Sequence, residues 1–209
     1  MNDILQVYCD IKAEIEKRLE EFKVIGLNAS DNELFKELCF CLLTPQSKAK
    51  TCWKAIERLN NLIYTENEDI IVNKIYDVRF KNNKAKYLVL ARKTLTNNGK
   101  IEIKNILESF TDVSDKREWL VKNIKGYGYK EASHFLRNIG LGNDIAILDR
   151  HILKNLIKMD VIQEIPKSIS KNKYLEIENK MKNFSDYINI PMHHLDLLFW
   201  YRETGEVFK

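Results

Sequence analysis

A lysine stands where helices ordinarily carry a carboxylate. In Ile124-Lys125-Gly126-Tyr127-Gly128-Tyr129-Lys130-Glu131-Ala132-Ser133-His134, two glycines precede a run whose apolar residues Ala132, Phe135, Leu136 and Ile139 recur at helical spacing. Lys130 falls in the first turn of that helix, where the positive end of the dipole favours Asp or Glu and disfavours an ammonium ion. A neutral amine is what attack on an electrophilic carbon requires; an exposed lysine in the same place would equally suit a phosphate contact. Gly126-x-Gly128 permits a tight reversal and leaves the N–H groups at the helix start unobstructed, which suits a phosphate oxygen or a plain turn between helices. Nineteen residues after Lys130, Asp149 follows the apolar run Ile145-Ala146-Ile147-Leu148 and precedes an amphipathic helix through Ile152, Leu153, Leu156 and Ile157. That is an N-cap position. A capping carboxylate is fixed in place, so its second oxygen can also serve in a cleft.

Helical periodicity dominates the segments that must hold these groups. Ile4, Tyr8, Ile11, Ile15, Leu19 and Phe22 form one stripe of an opening helix, and Ser30-Asp31-Asn32-Glu33 is a capping box ahead of the nearly all-apolar Leu34–Leu43. Thr44-Pro45 interrupts that helix, and another runs through Trp53, Ile56 and Leu59. Further helices are expected at roughly 66–76, 82–96, 102–110, 114–124, 129–139, 150–158, 173–183 and 192–203, with Ser114 capping the first helix of the glycine hairpin. Period-two alternation is missing, and 145–148 is too short to demand a strand. The expected fold class is all-α, one compact unit over 1–209 with a helix-hairpin-helix at about 114–139.

The 209 residues are 44% hydrophobic, 10% aromatic and 31% charged, the composition of a globular chain. No apolar run approaches the eighteen or so residues of a membrane helix, and the N-terminus lacks a basic stretch followed by an apolar one. A cytoplasmic protein without a membrane partner is expected. A net charge of +4 suits a polyanionic partner without requiring one. The four cysteines, Cys9, Cys39, Cys41 and Cys52, lack paired metal-site spacing, so Cys39 and Cys41 read as small buried hydrophobes. His193-His194 has no evident third ligand. Neither metal nor cofactor is expected.

Gly126-x-Gly128-x-Lys130 followed by Asp149-x-His151 resembles the helix-hairpin-helix DNA glycosylase superfamily. The resemblance implies a two-lobed fold with the active site in the cleft between lobes. It makes Lys130 a nucleophile that displaces the base at C1′ and forms a Schiff base, after which β-elimination nicks the strand. Asp149 becomes its electrostatic and acid–base partner. Leu42-Leu43-Thr44-Pro45-Gln46-Ser47-Lys48-Ala49 resembles the loop that plugs the gap left by an extruded base, with Gln46 as the plug. Asn82-Asn83-Lys84-Ala85-Lys86-Tyr87 is similar to the family's N/S-K-A segment near the DNA backbone, which would set Lys84 beside Gly126, Gly128 and His151 as DNA-binding residues.

The absence of any cysteine after Cys52 excludes the iron–sulfur cluster of the endonuclease III relatives. The short chain, the string Gly128-Tyr129-Lys130-Glu131-Ala132-Ser133-His134-Phe135-Leu136-Arg137-Asn138 and the ending Phe199–Lys209 resemble the archaeal-type 8-oxoguanine DNA glycosylases, the compact second Ogg family. That resemblance implies a monomer acting on double-stranded DNA containing a damaged base, with His134, Trp200 and the terminal Lys209 holding the extruded purine. Two alternatives stay open: the same lysine chemistry on another oxidised or mismatched base, and a non-enzymatic helix-hairpin-helix module that only grips DNA.

Overall fold

The computed structural model describes residues 2–209, and among them lie twelve helices and one short hairpin. In chain order they are α1 (Asn2–Asn28), α2 (Asp31–Leu43), α3 (Ala49–Leu59), α4 (Leu62–Thr65), α5 (Glu68–Lys74), α6 (Lys81–Leu95), β1 (Thr96–Asn97), β2 (Lys100–Ile101), α7 (Ile103–Glu108), α8 (Val113–Asn123), α9 (Tyr129–Asn138), α10 (Arg150–Lys158), α11 (Lys171–Ile188) and α12 (Met192–Thr204). Among the described residues, no helix is long and apolar enough to cross a membrane. The helical fold is the one expected, with one addition. Thr96 pairs with Ile101 and Asn97 with Lys100 around Asn98 and Gly99, both at positive φ, the backbone that Asn-Gly adopts in tight hairpins.

The chain divides into two compact units, Asn28–Phe135 and the pair Met1–Leu27 with Leu136–Lys209. In the first, α2 is the central element. Its capping box forms as expected: the Glu33 N–H donates to Ser30 Oγ at 3.3 Å, and the Ser30 N–H donates to Glu33 Oε2 at 2.7 Å. Leu34, Phe35 and Leu38 through Leu43 are then buried, with α3, α6 and α7 packed around them. Each such leucine or phenylalanine contributes about 1.5–3 kcal/mol through removal of its surface from water. Cys39, Cys41 and Cys52 are buried in this core, none of them in a disulfide.

The α8–α9 hairpin is tied internally and to α2. Arg117, 4% exposed, donates to Ser133 Oγ at 3.3 Å and lies over the Tyr129 ring. The Tyr129 hydroxyl donates to Glu118. Tyr127 in the turn donates its hydroxyl to the Leu38 carbonyl at 2.8 Å. Ser114 is not the cap of α8: the helix begins one residue earlier, Asp112 occupies the cap position, and no side-chain capping bond forms there.

In the second unit α1 buries Ile4, Ile11, Ile15 and Phe22, and α12 buries Leu195 and Leu197 through Phe199 against α10 and α11. The run 145–148 is buried but pairs with no strand among the described residues. Tyr174 of α11 holds it instead: its hydroxyl donates to Ala146 O at 2.6 Å and accepts the Leu148 N–H at 3.2 Å. Glu178 takes the Ala146 N–H at 2.7 Å. This side-chain stitching delivers Asp149 to the start of α10.

Candidate active site

Lys130 occupies the second position of α9, and its side chain is 21% exposed. Its Nζ donates to Thr44 Oγ1 at 3.0 Å and lies 3.8 Å from Glu131 Oε1. The other oxygen of Glu131 accepts the Gly128 N–H at 3.1 Å, and the Ala132 N–H donates to Gly128 O. Gly128 is therefore the cap residue, with Glu131 reaching back in the manner of a capping box. That corrects one expectation: the Gly128 N–H is occupied within the protein rather than open to a phosphate. The Gly126 N–H makes no hydrogen bond among the described residues, and Gly126 is an exposed residue. Gly126 has φ +95, and an added Cβ would sit 2.5 Å from Tyr87 Cδ2, so both the backbone angle and the close approach require glycine.

Thr44 opens a reverse turn closed by the Ser47 N–H donating to Thr44 O at 3.0 Å, with Pro45 second and Gln46 third. Gln46 is exposed at φ +54, a position that type II turns usually give to Gly or Asn. Holding a glutamine there costs about 1 kcal/mol, and such strain collects at functional sites. The turn is braced from inside by Lys84, which donates to Leu43 O and Pro45 O at 2.7 Å each and to Ser47 Oγ at 3.1 Å. Lys84 is 4% exposed, and burial pushes its pKa down to about 8. It does not offer its ammonium to a phosphate, as the sequence led one to expect; all three N–H donors are spent on the turn.

His134, one turn after Lys130, is 5% exposed with its ring edge-on to Phe40, centroids 5.5 Å apart. It shares the helix face expected of it, but its ring is buried with an edge against Phe40 rather than presented as an open stacking surface. In the other unit, Asp149 caps α10: Oδ1 accepts the His151 and Ile152 N–H groups at 2.8 Å each, and no hydrogen bond among the described residues engages Oδ2. The His151 ring stands edge-on to Trp200 with centroids 5.0 Å apart, and its Nδ1 lies 3.8 Å from Glu203. Trp200 Nε1 is a buried donor without an acceptor among the described residues. The tail is not frayed. Gly205 at φ +77 turns the chain after α12, Val207 is buried, and Lys209 is half-buried. So Lys130, Gln46 and Lys84 gather around one turn in one unit, and Asp149, His151 and Trp200 gather at the start of α10 and the end of α12 in the other.

A family model described as 8-oxoguanine DNA glycosylase, Ogg-HhH, matches residues 15–190. The chain belongs to the Ogg-HhH family. Relatives along its whole length include an 8-oxoguanine DNA glycosylase/AP lyase of Fusobacterium nucleatum, 49% identical over 100% of this chain and 97% of the relative. One of Methanocaldococcus jannaschii is 44% identical over 96% and 94%. Among solved structures, the M. jannaschii 8-oxoguanine glycosylase/lyase in complex with a 15mer DNA containing 8-oxoguanine matches with a TM-score of 0.90 at 42% identity, covering 100% of both chains. The 8-oxoguanine DNA glycosylase of Thermotoga maritima matches with a TM-score of 0.89 at 33% identity, over 100% and 97%.

Within this Ogg-HhH chain the sequence reading passed over two residues. Thr44, the hydroxyl on Lys130, looked like part of a helix break. Phe80, which falls between the helices expected at 66–76 and 82–96, is 51% exposed at φ +59 and stacked under Arg79, whose backbone N–H donates to Ser47 Oγ at 3.1 Å. An exposed aromatic next to the plug-like turn was detectable only as a lone phenylalanine ahead of a polar stretch. Among the described residues no group of three or more His, Cys, Asp or Glu side chains is arranged to hold a metal ion. His194 instead hydrogen-bonds the Tyr8 hydroxyl at 3.0 Å, and burial brings its pKa down to about 4.

Proposed function

We propose that the protein excises 8-oxoguanine from duplex DNA and then cleaves the strand at the abasic site, working as a cytoplasmic monomer on chromosomal DNA. The observation that carries this reading is that relatives spanning the full length of the chain are 8-oxoguanine DNA glycosylase/AP lyases. The neutral amine of Lys130 attacks C1′ of the damaged nucleotide, the C1′–N9 bond breaks, and the purine leaves with a proton. Loss of the amine proton and opening of the sugar give a Schiff base. Abstraction of a C2′ proton then expels the 3′ phosphate, and water frees the lysine.

The free oxygen of Asp149 faces the developing positive charge on the sugar, an interaction stronger in the transition state than in the ground state. Gln46 fills the space vacated by the extruded nucleotide, with Phe80 pressing into the stack beside it. The Gly126 N–H and the first-turn amides of α9 hold a phosphate oxygen, and His151 supports the DNA at the start of α10. Trp200 and Lys209 contact the purine, for which the unpartnered indole N–H is a ready donor. A site that tells 8-oxoguanine from guanine has to touch C8=O or N7–H.

The test is Lys130→Gln on duplexes bearing a single 8-oxoguanine, with and without borohydride. Loss of excision, strand cleavage and covalent trapping with retained DNA binding is expected. A trapped complex with the variant would show that another amine is the nucleophile.

A further inference from the structure

One buried charge holds the Thr44–Ser47 turn. The three N–H donors of Lys84 meet three acceptors, Leu43 O, Pro45 O and Ser47 Oγ, so the ammonium is fully engaged. Leu43 O belongs to the carbonyls that α2 leaves without a helical partner, and it also accepts from Cys52 Sγ at 3.1 Å. Burying an ammonium is a weak way to stabilise a fold, because desolvation offsets most of what its bonds return and an apolar side chain could fill the same space. What the charge does provide is a fixed path for Pro45, Gln46 and Ser47, with Gln46 in an otherwise unfavourable conformation.

The same turn begins at the residue that holds Lys130. Thr44 Oγ1 donates its proton to Cys41 O at 2.9 Å, so toward Lys130 Nζ it can only accept, at 3.0 Å. That polarity matters chemically. A neutral amine can keep this bond through an N–H while its lone pair remains available for C1′; a hydroxyl turned the other way would occupy the lone pair. Resting on the assignment of Lys130 as nucleophile and Gln46 as gap-filler, we propose that Thr44 is a positioning residue for the Lys130 amine. In the same proposal the Lys84-braced turn links the seating of Gln46 in the duplex to the placement of that amine. Displacement of the turn by the DNA moves Thr44 Oγ1, and with it the acceptor that orients Nζ.

Thr44→Val keeps shape and removes the acceptor. On a duplex with a preformed abasic site, the single-turnover rate of borohydride trapping should fall roughly tenfold, the upper end for one lost hydrogen bond. The Kd for a duplex with a stable abasic analogue should stay within about twofold. Thr44→Ser should restore the rate, and Thr44→Ala serves where the valine variant does not fold. A second arm measures excision of 8-oxoguanine by Lys84→Met, Gln46→Ala and the double variant. If Lys84 acts through the turn, the double variant is no slower than the slower single one.

An unchanged trapping rate without the Thr44 hydroxyl, a serine variant as slow as valine, or fully additive losses for Lys84 and Gln46 would each overturn the proposal. Trapping by Lys130→Gln would instead overturn the assignment of the nucleophile, so the two failures are distinguishable.

Discussion

Replacing Asp149 tests the proposed catalytic carboxylate apart from the helix cap, because only one of its oxygens is engaged in the cap. Oδ1 accepts two backbone N–H groups at 2.8 Å each, while Oδ2 makes no hydrogen bond among the described residues. Asp149→Ala leaves the His151 and Ile152 amides without their acceptor, which costs about 1 kcal/mol within a range of 0.5–2. For a chain of this length that corresponds to a drop of roughly 2–4 °C in Tm per kcal/mol. Asp149→Asn keeps a carbonyl oxygen in the same place and forfeits only the charge at the helix N-terminus, about 0.3–1 kcal/mol. Stability should therefore order as wild type, Asn, Ala. Catalysis should not follow that order. In the proposed reaction both variants lack the negative charge opposite the sugar, and removal of one preorganised electrostatic group costs roughly 10²–10³ in rate. Single-turnover excision of 8-oxoguanine, measured well below both melting temperatures, should fall by that factor for both. If the asparagine variant excises at nearly the wild-type rate, Asp149 is a cap and the electrostatic argument is wrong.

Gly126→Ala should be destabilising by 2 kcal/mol or more, since it combines positive φ with a 2.5 Å approach to Tyr87; Gly128→Ala, facing only Glu131 Oε2 at 3.3 Å, should cost clearly less, and equal urea midpoints would refute the geometry. Burial brings Lys84 to about 8 from an ordinary 10.5, so between those pH values the unfolded chain binds the extra proton and this residue's contribution to stability rises with pH. Lys84→Met should flatten that rise in urea midpoints between pH 8 and 10, and an unaltered slope would contradict it. Deletion of Lys209 should lower the ratio of 8-oxoguanine excision to cleavage of a preformed abasic site, and an unchanged ratio with guanine still rejected would make the tail a bystander.

What could be read from the sequence was what is local. The Ser30–Glu33 capping box, the Asp149 cap and the helix beginning at Arg150 each depend on residues within four positions of one another, and each is present. Boundaries failed where a side chain had competitors: Ser114 was a plausible cap, but Asp112 precedes it and α8 starts there. The Asn98-Gly99 signal was present, yet strands of two residues give no alternation to see. For the candidate site, what was legible was placement: Lys130 in the first turn of α9 and Asp149 at the start of α10, with Gln46 singled out by the resemblance alone. The burial of Lys84 was not. Its acceptors lie 37 to 41 residues away in sequence, and a lysine in a polar stretch reads as surface. Helical spacing likewise gave His134 its face but not its packing against Phe40.

The division of the chain has a consequence for how the protein is made. The unit containing α1 is completed only by residues from Leu136 onward, with all of Asn28–Phe135 synthesised in between. At about 5–20 residues per second, α1 leaves the ribosome roughly ten to forty seconds before α12. Through that interval Ile4, Ile11, Ile15 and Phe22, buried in the finished protein, lack the rest of the unit they belong to. The inserted unit, by contrast, is contiguous and can fold as soon as Phe135 emerges. The order of synthesis therefore favours early formation of the part that carries Lys130 and the Gln46 turn, and it leaves the opening helix as the segment most in need of shelter while the rest is made.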